Sequence, residues 1–154
     1  LPENAGASIY ISCVDSVKSR FKIAEILKML NNGKAYSNRT RYWLDFGNSQ
    51  HIGQVLLSTI GNIQQPNSEK FETVTSLPFV TEEFGALLKQ SEEQDDTPSC
   101  SLAEALEKQD LFINSSLAQM GCSLLWNLFR NGMTEYRGFF LNLKNFQSQP
   151  IKVA

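Results

Sequence analysis

The sequence predicts an α/β domain: one strand–helix–strand unit, followed by antiparallel strands with helices segregated from them. Three observations carry this. An apolar β-rich run ends in Asp15-Ser16 and gives way at once to a helical apolar spacing; two strand-like runs then follow closely around a Gly-Asn turn; and the C-terminal third holds one long apolar helix before its last strands. The 154 residues suffice for one domain with a core, here 1–154 as a single unit.

Ser8 to Val14 reads as a buried strand. A helix is expected from about Val17 to Leu30, with Val17, Phe21, Ala24, Leu27 and Leu30 on one face and Asn31-Asn32-Gly33 as the stop. Arg41 to Phe46 is the second strand, closed by Gly47-Asn48, and Ile52 to Ile60 the third. Residues 61–80, rich in Gln, Asn and Pro, are expected to be a flexible loop. Thr81-Glu82-Glu83 is expected to cap a short helix reaching Lys89. The acidic run Ser91 to Thr97 reads as a solvated linker, within a flexible stretch of about 90–98.

Ser101-Leu102-Ala103-Glu104 is a capping-box pattern opening a helix to about Lys108. A longer helix is expected from Asp110 to Arg130, apolar on most faces and therefore central and buried, with Asn131-Gly132 ending it. Its polar Asn114-Ser115-Ser116 either touches a site or satisfies neighbouring backbone. Tyr136 to Leu143 is a strand, and a short one near Ile151 follows the 144–150 turn.

Composition narrows the function classes. A net charge of −2 with scattered basic residues gives no polyanion-binding surface, so no nucleic-acid partner is expected. No apolar run approaches the roughly 20 residues needed to cross a bilayer, so no membrane association is expected and the cytoplasm is the default location. The chain opens Leu1-Pro2-Glu3-Asn4-Ala5-Gly6 without methionine, so a processed or trimmed start is expected. Cys13, Cys100 and Cys122 are widely spaced with no CxxC pair, which argues against a disulfide framework and a zinc site. Cys13 and Cys122 are expected to be inert core thiols. His51, the single histidine, lies in a polar turn and is expected to be exposed. No GxGxxG with a downstream acid is present, against a dinucleotide-binding protein.

Asp15 is the candidate for chemistry. A carboxylate at the carboxyl end of a strand, beside a helix N-terminus, sits where open α/β sheets bind nucleotides. On local grounds alone the plainer role for the same aspartate is to cap the helix starting near Val17. Cys100 precedes a capped helix, whose dipole favours a thiolate, while the neighbouring acids Glu92, Glu93, Asp95 and Asp96 oppose it.

The segment SIYISCVDSVKSR, residues 8–20, resembles the strand–Asp–helix motif of the ThiF/MoeB adenylating proteins, relatives of ubiquitin-activating enzymes. Asp15 matches the family aspartate, Ser16 stands where Asn is usual, and Arg20 matches the family arginine five residues on. Trp43-Leu44-Asp45-Phe46-Gly47 and Gly53-Gln54-Val55 resemble the family's next two strands. Residues 98–129 with the YRGFFLNL that follows resemble a narrower group, the ThiF-related proteins of PRTRC cassettes on bacterial plasmids and integrating elements.

The resemblance implies the C-terminal portion of a Rossmann-type ThiF fold, a mixed sheet with antiparallel C-terminal strands and helices packed on it. It further implies a homodimer that adenylates the C-terminal carboxylate of a small ubiquitin-like carrier protein with Mg-ATP. Asp15, Ser16 and Arg20 would bind the nucleotide, Asp15 would hold Mg²⁺ through ATP, and Cys100 would be an acyl acceptor. The family's Gly-rich phosphate loop and its phosphate-gripping Arg and Lys precede this strand and are not in the 154 residues, so this chain alone is expected to be inactive. The zinc-binding CxxC pairs of some members are absent too, so no zinc is expected. The alternative is a non-catalytic dimerisation or docking module of a mobile-element cassette.

Overall fold

Nine elements form a five-stranded sheet with helices on both faces in a computed structural model that describes residues 7–32, 40–94 and 110–153. In chain order they are β1 (Ile9–Cys13), α1 (Val17–Asn32), β2 (Tyr42–Asn48), β3 (Ile52–Thr59), α2 (Val80–Glu83), α3 (Gly85–Gln94), α4 (Ile113–Asn131), β4 (Tyr136–Asn142) and β5 (Gln147–Lys152). Spatial order equals chain order, β1 to β5. Only β1 and β2 are parallel, because α1 carries the chain back to the same end; the remaining pairs are antiparallel. This is the mixed sheet expected, and the fold class is α/β.

Strand alternation sends side chains into two cores. Trp43 and Leu56 point to one face, where Val17, Ala24 and Leu27 of α1 meet Phe79, Val80 and Leu88 from the α2–α3 region. Leu44, Val55 and Leu57 point to the other, beneath Ile113, Leu117, Leu124 and Leu128 of α4. Both faces of β2 and β3 are thus covered, and of their residues only Ile52 is exposed.

Several expectations are corrected. The helix after residue 80 does not open on Thr81, which is buried; it opens after Phe79, whose N–H donates to the Glu82 carboxylate at 2.9 Å. Lys28 of α1 pairs with the same carboxylate at 2.6 Å, tying α1 to α2. Helix α3 then runs to Gln94, so the first part of the acidic run is helical; residues 95–97 lie outside the described residues, as does the helix expected over 101–108. Segment 61–79 has no helix or strand but is pinned: Ile63 N–H donates to Thr75 O at 2.8 Å, and Leu77 N–H to Thr59 Oγ1 at 2.8 Å.

Helix α4 is the largest correction. Its apolar residues do not all face a core: Ile113, Leu117, Gly121, Leu124 and Leu128 are buried, while Trp126 and Phe129 stand in solvent. The sequence reads as buried on all sides because apolar residues occupy both faces; only one face meets the sheet. Asn114 and Ser115 are exposed, and Ser115 Oγ donates to Phe112 O at 3.0 Å, so this patch has no buried polar demand. Gly132 closes the helix at φ 71°, a left-handed conformation that glycine adopts without strain. No helix among the described residues is long and apolar enough to cross a membrane.

Candidate functional site

The parallel pair β1–β2 brings two strand ends to one rim of the sheet. Cys13 lies beside Phe46 in register, and the chain turns through Val14, Asp15 and Ser16 into α1. Ser16 caps that helix: its Oγ accepts the Ser19 N–H at 3.1 Å and its hydroxyl donates to Ser19 Oγ at 2.7 Å. The capping role open to Asp15 is therefore filled by its neighbour. Asp15 itself is exposed at the positive end of a sixteen-residue helix, with no hydrogen bond or ion pair to any described residue.

Arg20 sits one helical turn further on and is buried. Its Nη2 donates to Val14 O at 2.7 Å and to Phe46 O at 3.1 Å, while its Nε lies 2.8 Å from Asp45 Oδ2. Neither Nε nor Oδ2 has a hydrogen bond of good geometry, so their contact is a charge–charge one. Gly47 makes room for this arrangement, since a Cβ there would come within 2.7 Å of Arg20 Nη2. The guanidinium ties the last carbonyl before Asp15 to the end of β2 and to the helix that follows. It is a clamp on the turn that presents Asp15.

Asp45 extends the cluster inward. Ser12 Oγ donates to Asp45 Oδ1 at 2.6 Å, and Trp43 Nε1–H donates to Ser12 Oγ at 2.8 Å. Burial pushes the Asp45 carboxyl above the ordinary carboxylate range, against the lowering pull of the Arg20 charge and the Ser12 hydroxyl. In the layer under α1, Ser12 thus links the Trp43 indole N–H to one oxygen of the buried aspartate, whose other oxygen faces the Arg20 charge. The sequence offers Asp45 only as part of a family match. The signal that could have found it is a lone acid within the apolar run Trp43-Leu44-Asp45-Phe46, a position that burial tolerates only with a partner.

The predicted cysteines divide differently from expectation. Cys13 and Cys122 are both exposed rather than core residues. Cys13 ends an edge strand, whose outer face no helix among the described residues covers; burial of part of its surroundings, then the Asp45 charge, pushes its thiol up. Cys100 lies outside the described residues. His51, expected to be exposed, is half-buried, its Nδ1 3.8 Å from Asp110 Oδ2.

Asp15, Ser16 and Arg20 therefore converge on one turn, but in three different states: a free carboxylate, a cap and a buried clamp. A group of three or more His, Cys, Asp or Glu side chains suited to a metal is not found among the described residues. Asp15 by itself fits a cation held mainly by another ligand's oxygens, the usual way Mg²⁺ sits on a triphosphate. A cavity of about 810 Å³ lies elsewhere, lined by Tyr42, Thr59, Asn127, Tyr136 and Lys152 among others; those strand termini mark the opposite rim of the sheet, and none of Asp15, Ser16 and Arg20 lines it.

A scan against protein-family models gives no match, and no curated protein is significantly similar to the chain.

Proposed function

We propose that this domain is part of an ATP-dependent adenylyltransferase of the ThiF/MoeB kind, which activates the C-terminal carboxylate of a small ubiquitin-like carrier protein. One observation carries the reading: an unpartnered carboxylate, Asp15, stands where a parallel strand gives way to a helix N-terminus, on a turn held by a buried arginine. A carboxylate with only a capping role would be hydrogen-bonded to the helix, and here Ser16 does that work.

In adenylation a carboxylate oxygen of the carrier attacks the α-phosphorus of ATP and pyrophosphate leaves. Asp15 would hold Mg²⁺ on the triphosphate; the ion supplies charge neutralisation at the phosphates when bound. Arg20 acts as a positioning residue: its bonds to Val14 O and Phe46 O fix the backbone on which Asp15 is mounted. It is not free to grip a phosphate as well, because its Nε side faces Asp45. Phosphate-gripping cations must come from outside these elements. Cys100 would accept the activated acyl group as a thioester with release of AMP. The domain works as a homodimer in the cytoplasm.

A second reading has its own support. The exposed apolar face of α4 suits a non-catalytic dimerisation or docking module of a mobile-element cassette. Asp15 separates the two. In the whole enzyme, Asp15→Ala should lower carrier-dependent ATP–pyrophosphate exchange by about 10²-fold or more, the scale of one lost electrostatic contact to the transition state. A docking module would bind its partner unchanged after Asp15→Ala and would show no exchange to lose. The 154-residue chain alone should bind Mg-ATP weakly, since phosphate contacts worth roughly 1.5–3 kcal/mol each are missing. Micromolar binding to that chain, abolished by Asp15→Ala, would contradict its being a partial enzyme.

A further inference from the structure

The cleft of about 810 Å³ at the rim opposite Asp15 has a floor of buried leucines: Leu57 from β3, Leu77 from segment 61–79 and Leu128 from α4. Its walls are held in place. Segment 61–79 is fixed at its base by the Ile63–Thr75 and Leu77–Thr59 hydrogen bonds, and Gln65 and Phe71 to Val74 within it form one side. The last turn of α4 and the turn into β4 form the other, with Asn127, Asn131 and Glu135. Tyr42 and Tyr136, the first residues of β2 and β4, also line it. A volume in this range, with an apolar floor and a few polar groups around it, is the ordinary anatomy of a ligand site.

The polar lining is not satisfied within the chain. Tyr42, Gln65, Glu72, Asn127, Asn131 and Glu135 make no side-chain hydrogen bond or ion pair to a described residue. The helix adds acceptors: the carbonyls of Phe129, Arg130 and Asn131 at its C-terminal end take no main-chain hydrogen bond among the described residues. That end is the negative pole of the helix dipole. Glu72 and Glu135 add two negative charges, against Lys152 as the one cation in the described lining. Acceptors and negative charge thus line both walls, together with the rings of Tyr42, Phe71 and Tyr136.

We infer that this cleft takes an arginine side chain carried by a peptide segment of a partner. A guanidinium offers five N–H donors in one plane, which suits acceptors on two walls, and its flat faces stack on aromatic rings. Its methylene stem meets the leucine floor. A lone guanidinium would leave most of the cleft empty, whereas peptide main chain fills it and bonds to the free amides of Gln65 and Asn127. The site lies at the other rim from Asp15 and does not depend on the chemistry proposed there.

Titration of the 154-residue chain with the capped tripeptide acetyl-Gly-Arg-Gly-amide, followed by nuclear magnetic resonance, tests this. Saturable shifts are expected in the backbone amides of residues 71–74 and 127–136, and not in those of Val14 to Ser16. The same peptide with citrulline, the neutral isostere of arginine, should bind about tenfold more weakly. Glu72→Gln with Glu135→Gln should weaken the arginine peptide about three- to tenfold in low salt and less in high salt, since both carboxylates are exposed. Asn131→Lys should abolish binding by setting a cation in the site. A lysine in the last turn suits the helix dipole, so that variant keeps its fold. Butylguanidinium, which has no main chain, should bind more weakly than the peptide. The inference is overturned by the lack of a saturable shift, by shifts confined to residues outside the cleft, or by a citrulline peptide that binds equally well. Binding indifferent to Glu72→Gln/Glu135→Gln or to Asn131→Lys would overturn it too. Butylguanidinium binding as tightly as the peptide would overturn the assignment to a peptide. None of these measurements involves nucleotide, so the cleft can fail while ATP–pyrophosphate exchange succeeds, and the reverse.

Discussion

Asp45→Asn tests the clamp under the Asp15 turn. The substitution keeps the shape and the oxygen that accepts from Ser12 but leaves the Arg20 guanidinium buried without its counter-charge. The two side chains are 4% and 1% exposed, so water does not replace the lost partner. Breaking a buried pair on one side costs about 3–5 kcal/mol. Arg20 keeps its bonds to Val14 O and Phe46 O, which places the expectation at the lower end, about 3 kcal/mol. For a domain of this size that lowers Tm by roughly 6–12 °C. Arg20→Met alone should cost a similar amount, since it strands the carboxylate. The double variant Arg20→Met/Asp45→Asn should recover most of the loss, because an apolar replacement of a buried pair is often near neutral. Urea unfolding followed by circular dichroism measures all three and gives the coupling energy of the pair. An Asp45→Asn cost below about 1 kcal/mol, or a double variant whose loss is the simple sum, would refute the view of this pair as one interdependent unit.

Other outcomes follow from the same geometry. Gly47→Ala should destabilise by about 1–3 kcal/mol in thermal unfolding, because its Cβ enters the space of the Gln54 amide first and of the Arg20 guanidinium next. The Glu82 carboxyl is held below its ordinary range: burial raises it, but the Lys28 and Phe79 N–H bonds outweigh that. Its stabilisation is full above the ordinary glutamate pKa and is lost as pH falls through the lowered native value. Glu82→Gln should therefore flatten the acid limb of Tm against pH. Cys13 should alkylate more slowly with iodoacetamide than a free cysteine peptide at pH 8, although it is exposed, and mass spectrometry reads the difference. An equal or faster rate would contradict the raised thiol pKa.

Much of this molecule is legible from local pattern. The strand over 9–13, the helix from Val17, the paired strands around Gly47-Asn48, the Gly132 stop and the strand from Tyr136 all follow from periodicity and turn chemistry within a few residues of sequence. So does the α/β class, because a strand–helix–strand spacing allows a parallel pair and a short turn compels an antiparallel one. The choice of Asp15 and Arg20 as residues of one turn was also available from the motif.

What each of those residues does was decided by the folded chain. Whether Asp15 or Ser16 caps α1 depends on which oxygen reaches the Ser19 N–H, a matter of backbone direction that both side chains could satisfy on paper. Arg20 is a clamp because β2 brings Asp45 and Phe46 O to it across twenty-five residues of sequence, a distance that no local pattern encodes. Composition marks α4 as apolar all round but cannot say that the sheet covers one face only. That follows from how the described elements pack on it, which leaves Trp126 and Phe129 exposed. Local propensity is a property of neighbours in the sequence, whereas burial and pairing belong to neighbours in space.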